Sequence, residues 1–349
     1  MRICVVPQVS GVGGMVSFKG RLVFGLQKRG IEISQDLDDQ PYQAVLVIGG
    51  TRQIAKLWKI RRQGVPIVQR LDGMNWLHRL MFRRKGSGIN FRHYLRSEYG
   101  NWILKIIRNR LATRLVYQSQ FVQKWWERKA GQIGTPFQVI YNGVNLDLYS
   151  PQGAHSRPVD RLRILLVEGS LLGGYEWGLE QAVQLAEAMH PRLCNSSDIF
   201  SQGVELMVVG KVDTRIQNDW QAKSQIPIIW RGQIPLEEIP SVDRSAHLLY
   251  SADIHPACPN AAIEALACGL PVLAFDTGAM NEIVKGEAGR VVPYGGDPWR
   301  LDEPDIHSLV EAGLEIAQNQ LMFRSGARKR AEEAFDEQWM VEQYLEIFK

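Results

Sequence analysis

The sequence predicts an α/β protein built from two open, doubly wound, Rossmann-like domains in tandem that face a central cleft. Three observations predict it. Short, nearly unbroken apolar runs recur along the chain, as in parallel strands covered on both faces. Helical repeats and glycine turns alternate with those runs. The pattern pauses at a polar stretch near residue 150 and then restarts. A chain of 349 residues is long enough for two such cores.

The elements follow in order. Arg2–Pro7 is a first strand ending in the turn Gly11-Val12-Gly13-Gly14. Met15–Lys28 has apolar residues at helical spacing (Val16, Leu22, Val23, Leu26) and stops at Gly30. Ile31–Ser34, Ala44–Ile48, Pro66–Gln69, Leu115–Gln118 and Gln138–Tyr141 read as further strands. Tyr149–Gly153 and the polar residues up to Asp160 read as a linker. Arg163–Glu168, Glu205–Gly210 and Ile226–Trp230 are strands of the second domain, and Leu179–Met189 is a helix. Ile239–Leu249 reads as helical, with Ala252–His255 as a short strand after it. Pro271–Phe275 and Val291–Pro293 are late strands; Ile306–Ala317, Met322–Phe335 and Glu337–Phe348 are helices.

Composition excludes several classes. The apolar share of 45% and charged share of 22% are those of a globular protein, not a disordered one. No run approaches the ~18 apolar residues that suggest a spanning helix. The apolar run in Met1–Pro7 is too short for a secretory signal, so a cytoplasmic location is expected. Cys4, Cys194, Cys258 and Cys268 lack metal-ligand spacing and read as reduced thiols. The charge is uneven. Residues 51–129 hold 19 Lys and Arg against Asp72, Glu98 and Glu127, although the whole chain carries only +4. Tryptophans and other aromatics are interleaved with those cations. The mixture suits anionic lipid headgroups, and hence peripheral association with the inner face of a membrane. Ordinary solvated helix faces are the plain alternative. Nucleic acid is the third reading and is not expected, because no nucleic-acid motif accompanies the charge.

The stretch His255–Glu282 carries most of the functional information. A proline-rich loop leads into a short helix with Glu264 in its expected first turn, and Cys268-Gly269 closes that helix. A helix N-terminus suits an anion or polar ligand, and a carboxylate there can accept sugar or ribose hydroxyls. The plain alternative for Glu264 is a dipole-favoured helix carboxylate. The loop Gly11–Gly14 allows backbone to approach a ligand, or it is simply a tight turn. The dinucleotide fingerprint needs a third glycine at position 16, which is Val16, so a dehydrogenase is disfavoured. Asp72, in Gln69-Arg70-Leu71-Asp72-Gly73, ends a central strand and is the only acidic residue between Asp39 and Glu98. An acceptor-side role and a turn-forming Asp-Gly pair are its two readings. His255 reads as structural.

These segments resemble the retaining GT-B-fold glycosyltransferases of family 4, the glycosyl transferases group 1. Gln118-Ser119-Gln120-Phe121-Val122 looks like the family's Ser-x-Phe-Val element. Val139–Asn145 is similar to its Ile-x-Asn-Gly-Val-Asp signature. Ile263–Val272 and Thr277-Gly278 with Glu282-Ile283-Val284 match its most specific segments in the right order. The resemblance implies an acceptor-side domain at 1–155, a donor-side domain at 156–335, and a terminal helix at 336–349 crossing back to the first domain.

It also implies roles. Glu264 matches the second of two glutamates in the family and would hold the nucleotide ribose. The first would stand at 256, where this chain has Pro256. Backbone groups of Ala257, Asn260 and Ala261, and the Asn260 side chain, are left to bind the sugar. The arginine and lysine that neutralise the donor diphosphate are replaced by Ser170 and Trp177, and no Lys or Arg occurs from 164 to 190. Lys211 and Arg215 supply that charge, or basic residues of the first domain do, or the donor site is degenerate. The implied donor-binding set is Gly13, Gly14, Lys211, Arg215, Asn260, Ala261, Glu264 and Glu282, with Asp72 on the acceptor side. The expected reaction moves a sugar, with retention, from a nucleotide-diphosphate-sugar to the hydroxyl of a glycan or lipid-linked acceptor, in cell-surface glycan or glycolipid synthesis. The nucleotide-sugar is a substrate; no cofactor and no metal are expected. The rival from another class is a non-catalytic glycan- or nucleotide-binding protein on a degenerate scaffold.

Overall fold

A computed structural model describes residues 1–11, 13–83, 91–171, 176–196 and 199–349. The chain forms two compact units, Met1–Gly143 with Glu337–Lys349, and Val144–Asp336. Each is built on a six-stranded parallel sheet, which is the α/β architecture the apolar runs predict.

In the first unit the strands are β1 (Arg2–Val6), β2 (Glu32–Ser34), β3 (Ala44–Ile48), β4 (Ile67–Leu71), β5 (Arg114–Tyr117) and β6 (Phe137–Val139), in the order β2-β1-β3-β4-β5-β6. The helices are α1 (Gly14–Lys28), α2 (Ile54–Arg62), α3 (Leu77–Arg83), α4 (Phe91–Ile106) and α5 (Gln120–Ala130). β3 and β4 are buried along their whole length; β3 therefore reads as an unbroken apolar run, whereas β4 also carries Gln69 and Arg70, which donate to the Gly49 carbonyl at 2.8 Å and to the Asn142 side chain at 2.7 Å. The C-terminal helix, Glu337–Phe348, packs on α1: Phe18 meets Tyr344 at 5.6 Å, and a Cβ on Gly25 would strike Val341. Ser119 caps α5 by accepting the Val122 amide at 3.2 Å, so that serine has a local structural reason.

In the second unit the strands are β7 (Leu162–Ser170), β8 (Val204–Lys211), β9 (Ile228–Gly232), β10 (Leu248–Ser251), β11 (Val272–Phe275) and β12 (Gly289–Val292), in the order β12-β11-β10-β7-β8-β9. Its helices are α6 (Glu176–Ser196), α7 (Thr214–Lys223), α8 (Ile239–Arg244), α9 (Asn260–Ala267), α10 (Met280–Ile283), α11 (Ile306–Gln318) and α12 (Gln320–Ala334). One reading of the sequence is corrected. The helix expected over Ile239–Leu249 stops at Arg244, and the strand is Leu248–Ser251, not Ala252–His255. Leu248, Leu249 and Tyr250 are buried between β7 and β11, and that sheet position overrides the helical spacing. Residues 144–155 pack with this unit: Arg328 donates to the carbonyls of Leu146 and Tyr149, and Arg244 to those of Ser150 and Ala154.

A buried ion pair ties β7 to β8. Arg163 and Glu205 are cross-strand partners, and their side chains meet at 2.6 Å with 11% and 7% exposure. Glu205→Ala would strand the guanidinium in the interior. The expected cost is about 3–5 kcal/mol by urea unfolding. A loss below about 1 kcal/mol would mean the pair behaves as a solvated one.

Candidate functional site

In open α/β sheets, ligands bind beyond the carboxyl ends of the strands where the strand order reverses. In the second unit that reversal lies between β7 and β10. β7 ends in Glu168-Gly169-Ser170, and β10 runs into Ala252–Pro259 before α9. The loop is held in a fixed shape. His255 has φ +59, a left-handed conformation rare for a residue with a side chain, and its ring stacks on Trp299 at 3.6 Å. Burial lowers the His255 pKa to about 4, against a smaller upward pull from Asp297, so the ring is neutral at physiological pH.

The turn after β11 braces the same loop. Gly278 has φ +60, and a Cβ there would overlap the Pro256 ring and nitrogen. The Ala279 amide donates to the Pro256 carbonyl at 2.9 Å, and the Thr277 hydroxyl to the Asp253 carbonyl at 3.4 Å. Thus Thr277-Gly278 is a clamp on His255-Pro256. Glu282 is half-buried in α10, and its carbonyl accepts Arg330 at 2.7 Å.

α9 begins after Pro259, with no side chain capping it. Asn260 and Ala261 are its first two residues and are half-buried. Glu264 is the fifth, so it lies in the second turn and not the first; the first turn holds no acidic residue. Because the dipole effect fades within the first turn, a helix-end carboxylate explains Glu264 poorly. Glu264 is 6% exposed. Burial, and then the Glu264 charge, raises the carboxyl pKa of Asp243 on α8 well above its ordinary value. Gly269, at φ +67, ends the helix by bonding to Leu266 while Leu270 bonds to Ala265.

Lys211 is the exposed last residue of β8 and the register partner of Ser170 at the end of β7. The strand pairing therefore puts a cation beside the position where the resemblance implies an arginine. Arg215 is exposed one helical step into α7, where its amide is capped by Asp213 at 2.8 Å. Trp177 is half-buried in the first turn of α6. Gly173-Gly174 lie outside the described residues.

Two carboxylates at this edge escaped the sequence reading. Glu168 ends the apolar part of β7, and Asp253 follows β10; both are half-buried. Burial raises the Glu168 pKa well above the ordinary range, and the neighbouring Asp253 charge adds to it. Burial raises Asp253 as well, to about 6. The available signal is an Asp and a Glu at the carboxyl ends of two strands that are adjacent and central in the sheet; a strand read over Ala252–His255 hides it. These acids keep a proton in the folded state that the unfolded chain loses near pH 4. Their protonated forms therefore favour folding, and stability falls as pH rises through 4–6 and beyond. Asp253→Asn is expected to raise Tm more at pH 8 than at pH 4. An equal shift at both values would mean that Asp253 titrates normally.

In the first unit the order reverses between β1 and β3. Gly13 is the N-cap of α1 with φ +145, Gly11 has φ +95, and a Cβ on either would meet no atom within 4 Å. They are glycines for backbone conformation, not packing. Gly14 opens α1. Asp72 follows β4 at its carboxyl end, half-buried; its carbonyl accepts the Trp126 indole at 2.8 Å. Burial raises its carboxyl pKa, with Arg70 pulling the other way. Gly73 is small because a Cβ there would come within 2.5 Å of Trp125, so tertiary packing supplies a reason beyond a simple Asp-Gly turn.

Residues 171–317, in the second unit, match the family model described as glycosyl transferases group 1. Among solved structures, the chain is similar to sucrose-phosphate synthase from Thermosynechococcus elongatus (15% identity, TM-score 0.72, covering 99% of this chain and 98% of that one). It is also similar to WaaG, a glycosyltransferase involved in lipopolysaccharide biosynthesis (14%, 0.71, 100% of both chains). Anabaena HepE in complex with UDP-glucose gives 17% and 0.67, over 99% of both chains. A search of curated proteins found no match. The fold is GT-B. The match over residues 171–317 and these structural neighbours support a glycosyltransferase enzyme.

Proposed function

We propose that the protein transfers a sugar, with retention of configuration, from a nucleotide-diphosphate-sugar to a hydroxyl acceptor in cell-surface glycan or glycolipid synthesis. The observation that carries this reading is the carboxyl edge of the second sheet, where uncapped α9, buried Glu264 and the clamped His255–Pro259 loop meet at the strand reversal. HepE, a GT-B neighbour, is known with UDP-glucose, which supports a nucleotide-sugar donor here.

The residues divide the work as follows. Glu264 accepts the ribose hydroxyls, a charge-assisted contact of the strong kind. Backbone amides at Asn260 and Ala261 and the Asn260 side chain hold the sugar. Lys211, with Arg215 behind it on α7, meets the negative charge that grows on the diphosphate as the glycosidic bond breaks; stabilising that charge is a main part of the catalysis. Gly13 and Gly14 let backbone approach the donor, and Asp72 orients the acceptor hydroxyl. No protein nucleophile, cofactor or resident metal takes part.

Ser170, Trp177 and Pro256 favour a second reading, a binding protein on a degenerate scaffold. A thermal-shift panel of UDP-, GDP- and ADP-sugars, followed by turnover assays on any hit, separates the two. A donor that binds only the folded chain must raise its Tm. Stabilisation with turnover supports the enzyme, stabilisation without turnover supports the binding protein, and no stabilisation by any donor counts against both.

A further inference from the structure

The basic, aromatic segment 51–129 is not used by the donor site, and the structure shows where part of it lies. On α4, the large apolar side chains of Phe91, Leu95, Tyr99 and Trp102 are 60%, 50%, 46% and 53% exposed. Their spacing of four, four and three residues puts them on one helix face. Tyr99 and Trp102 stack at 5.8 Å, and Phe82 of α3, itself exposed, extends the patch to Phe91 at 6.4 Å. Exposed apolar residues occurring singly need no explanation, but a contiguous stripe does. Arg92 and Arg96 are exposed beside the stripe, one position on from Phe91 and Leu95. Glu98, the one acidic residue of α4, is engaged by Arg79 and His78. The face is therefore apolar at its centre and cationic at its flank.

We infer that this face of α4, with Phe82, docks on an anionic lipid surface. The helix lies along the membrane plane, over a length of about 24 Å. Trp102 and Tyr99 sit at headgroup depth, where amphipathic rings are most favourable, while Arg92 and Arg96 pair with lipid phosphates. Charge selects this occupant over a second copy of the chain, because two such faces would bring like-charged arginines together. A purely apolar partner would leave the arginines without a counter-charge. No helix among the described residues is long and apolar enough to cross a membrane, so the contact is peripheral. The inference does not depend on sugar transfer.

The test is co-flotation of the full chain with phosphatidylglycerol–phosphatidylcholine vesicles and with pure phosphatidylcholine vesicles at low salt. Binding to the anionic vesicles only is expected. Phe91→Ser with Trp102→Ser, and separately R92E with R96E, are each expected to lower partitioning at least about tenfold. All four positions are exposed, so Tm should hold, and an unchanged Tm confirms that lost binding is not lost folding. Quenching of Trp102 fluorescence by brominated lipid, read as the difference from Trp102→Ser, reports its depth. The inference is overturned if the wild-type chain ignores anionic vesicles, or if the serine variants bind as well as wild type. It is also overturned if an acidic polypeptide binds this face while vesicles do not, which would make the partner a protein.

Discussion

Glu264→Ala is expected to lower kcat/KM for the nucleotide-sugar by about 10²–10⁴-fold while leaving the fold intact. Each charge-assisted hydrogen bond to a ribose hydroxyl contributes about 1.5–3 kcal/mol, and two are lost together. The carboxylate is buried on α9 and raises the pKa of buried Asp243, so its removal relieves a like-charge repulsion. Glu264→Gln separates charge from shape: it keeps the packing and weakens both bonds, giving an intermediate loss. Donor affinity by calorimetry should fall in parallel, because these contacts exist before the transition state as well as in it. Unchanged turnover and affinity in Glu264→Ala would remove this residue from the donor site and leave the role of α9 to its backbone alone.

Gly278→Ala is expected to destabilise the protein by about 3 kcal/mol or more, and to weaken donor binding in the fraction that folds. Two effects add: an alanine at φ +60 costs about 1–2 kcal/mol, and its Cβ would overlap Pro256 in the loop that leads into α9. Gly13→Ala is the control. Its φ of +145 is also unfavourable for alanine, but nothing lies within 4 Å of the new Cβ, so strain acts without a clash. Urea unfolding should rank Gly278→Ala well below Gly13→Ala. Similar losses would mean that the turn after β11 yields freely and does not clamp the loop.

Both predictions concern residues visible in the sequence whose reasons became visible only in the fold. Gly278 reads as part of a turn; what makes it a clamp is the proline it meets from another loop. For Glu264 the sequence leaves a helix-end carboxylate as the alternative to a ribose contact, and the start of α9 after Pro259 weakens that alternative. Lys211 reads only as one of several sources of charge for the diphosphate, and the β7–β8 register is what pairs it with Ser170. Asp253 and Glu168 were passed over, because a carboxylate at a strand end means little until its neighbour across the sheet is known.

By itself the sequence determined the class of the protein, most of the strands, and the C-terminal end of α9. Those features are local. A strand buried on both faces favours apolar residues throughout, as in β3, and a helix closed by Gly269 needs a residue that accepts φ +67. The tertiary structure decided what depends on neighbours distant in the chain. The order of each sheet set where its strands reverse. Burial between β7 and β11 turned Leu248–Ser251 from helix into strand. Packing also chose which aromatics of 51–129 stay in the core, as Trp126 does, and which stand on the surface, as Trp102 does. Burial energies and carboxylate pKa values are set by what surrounds a side chain, and those surroundings come from parts of the chain that only folding brings together.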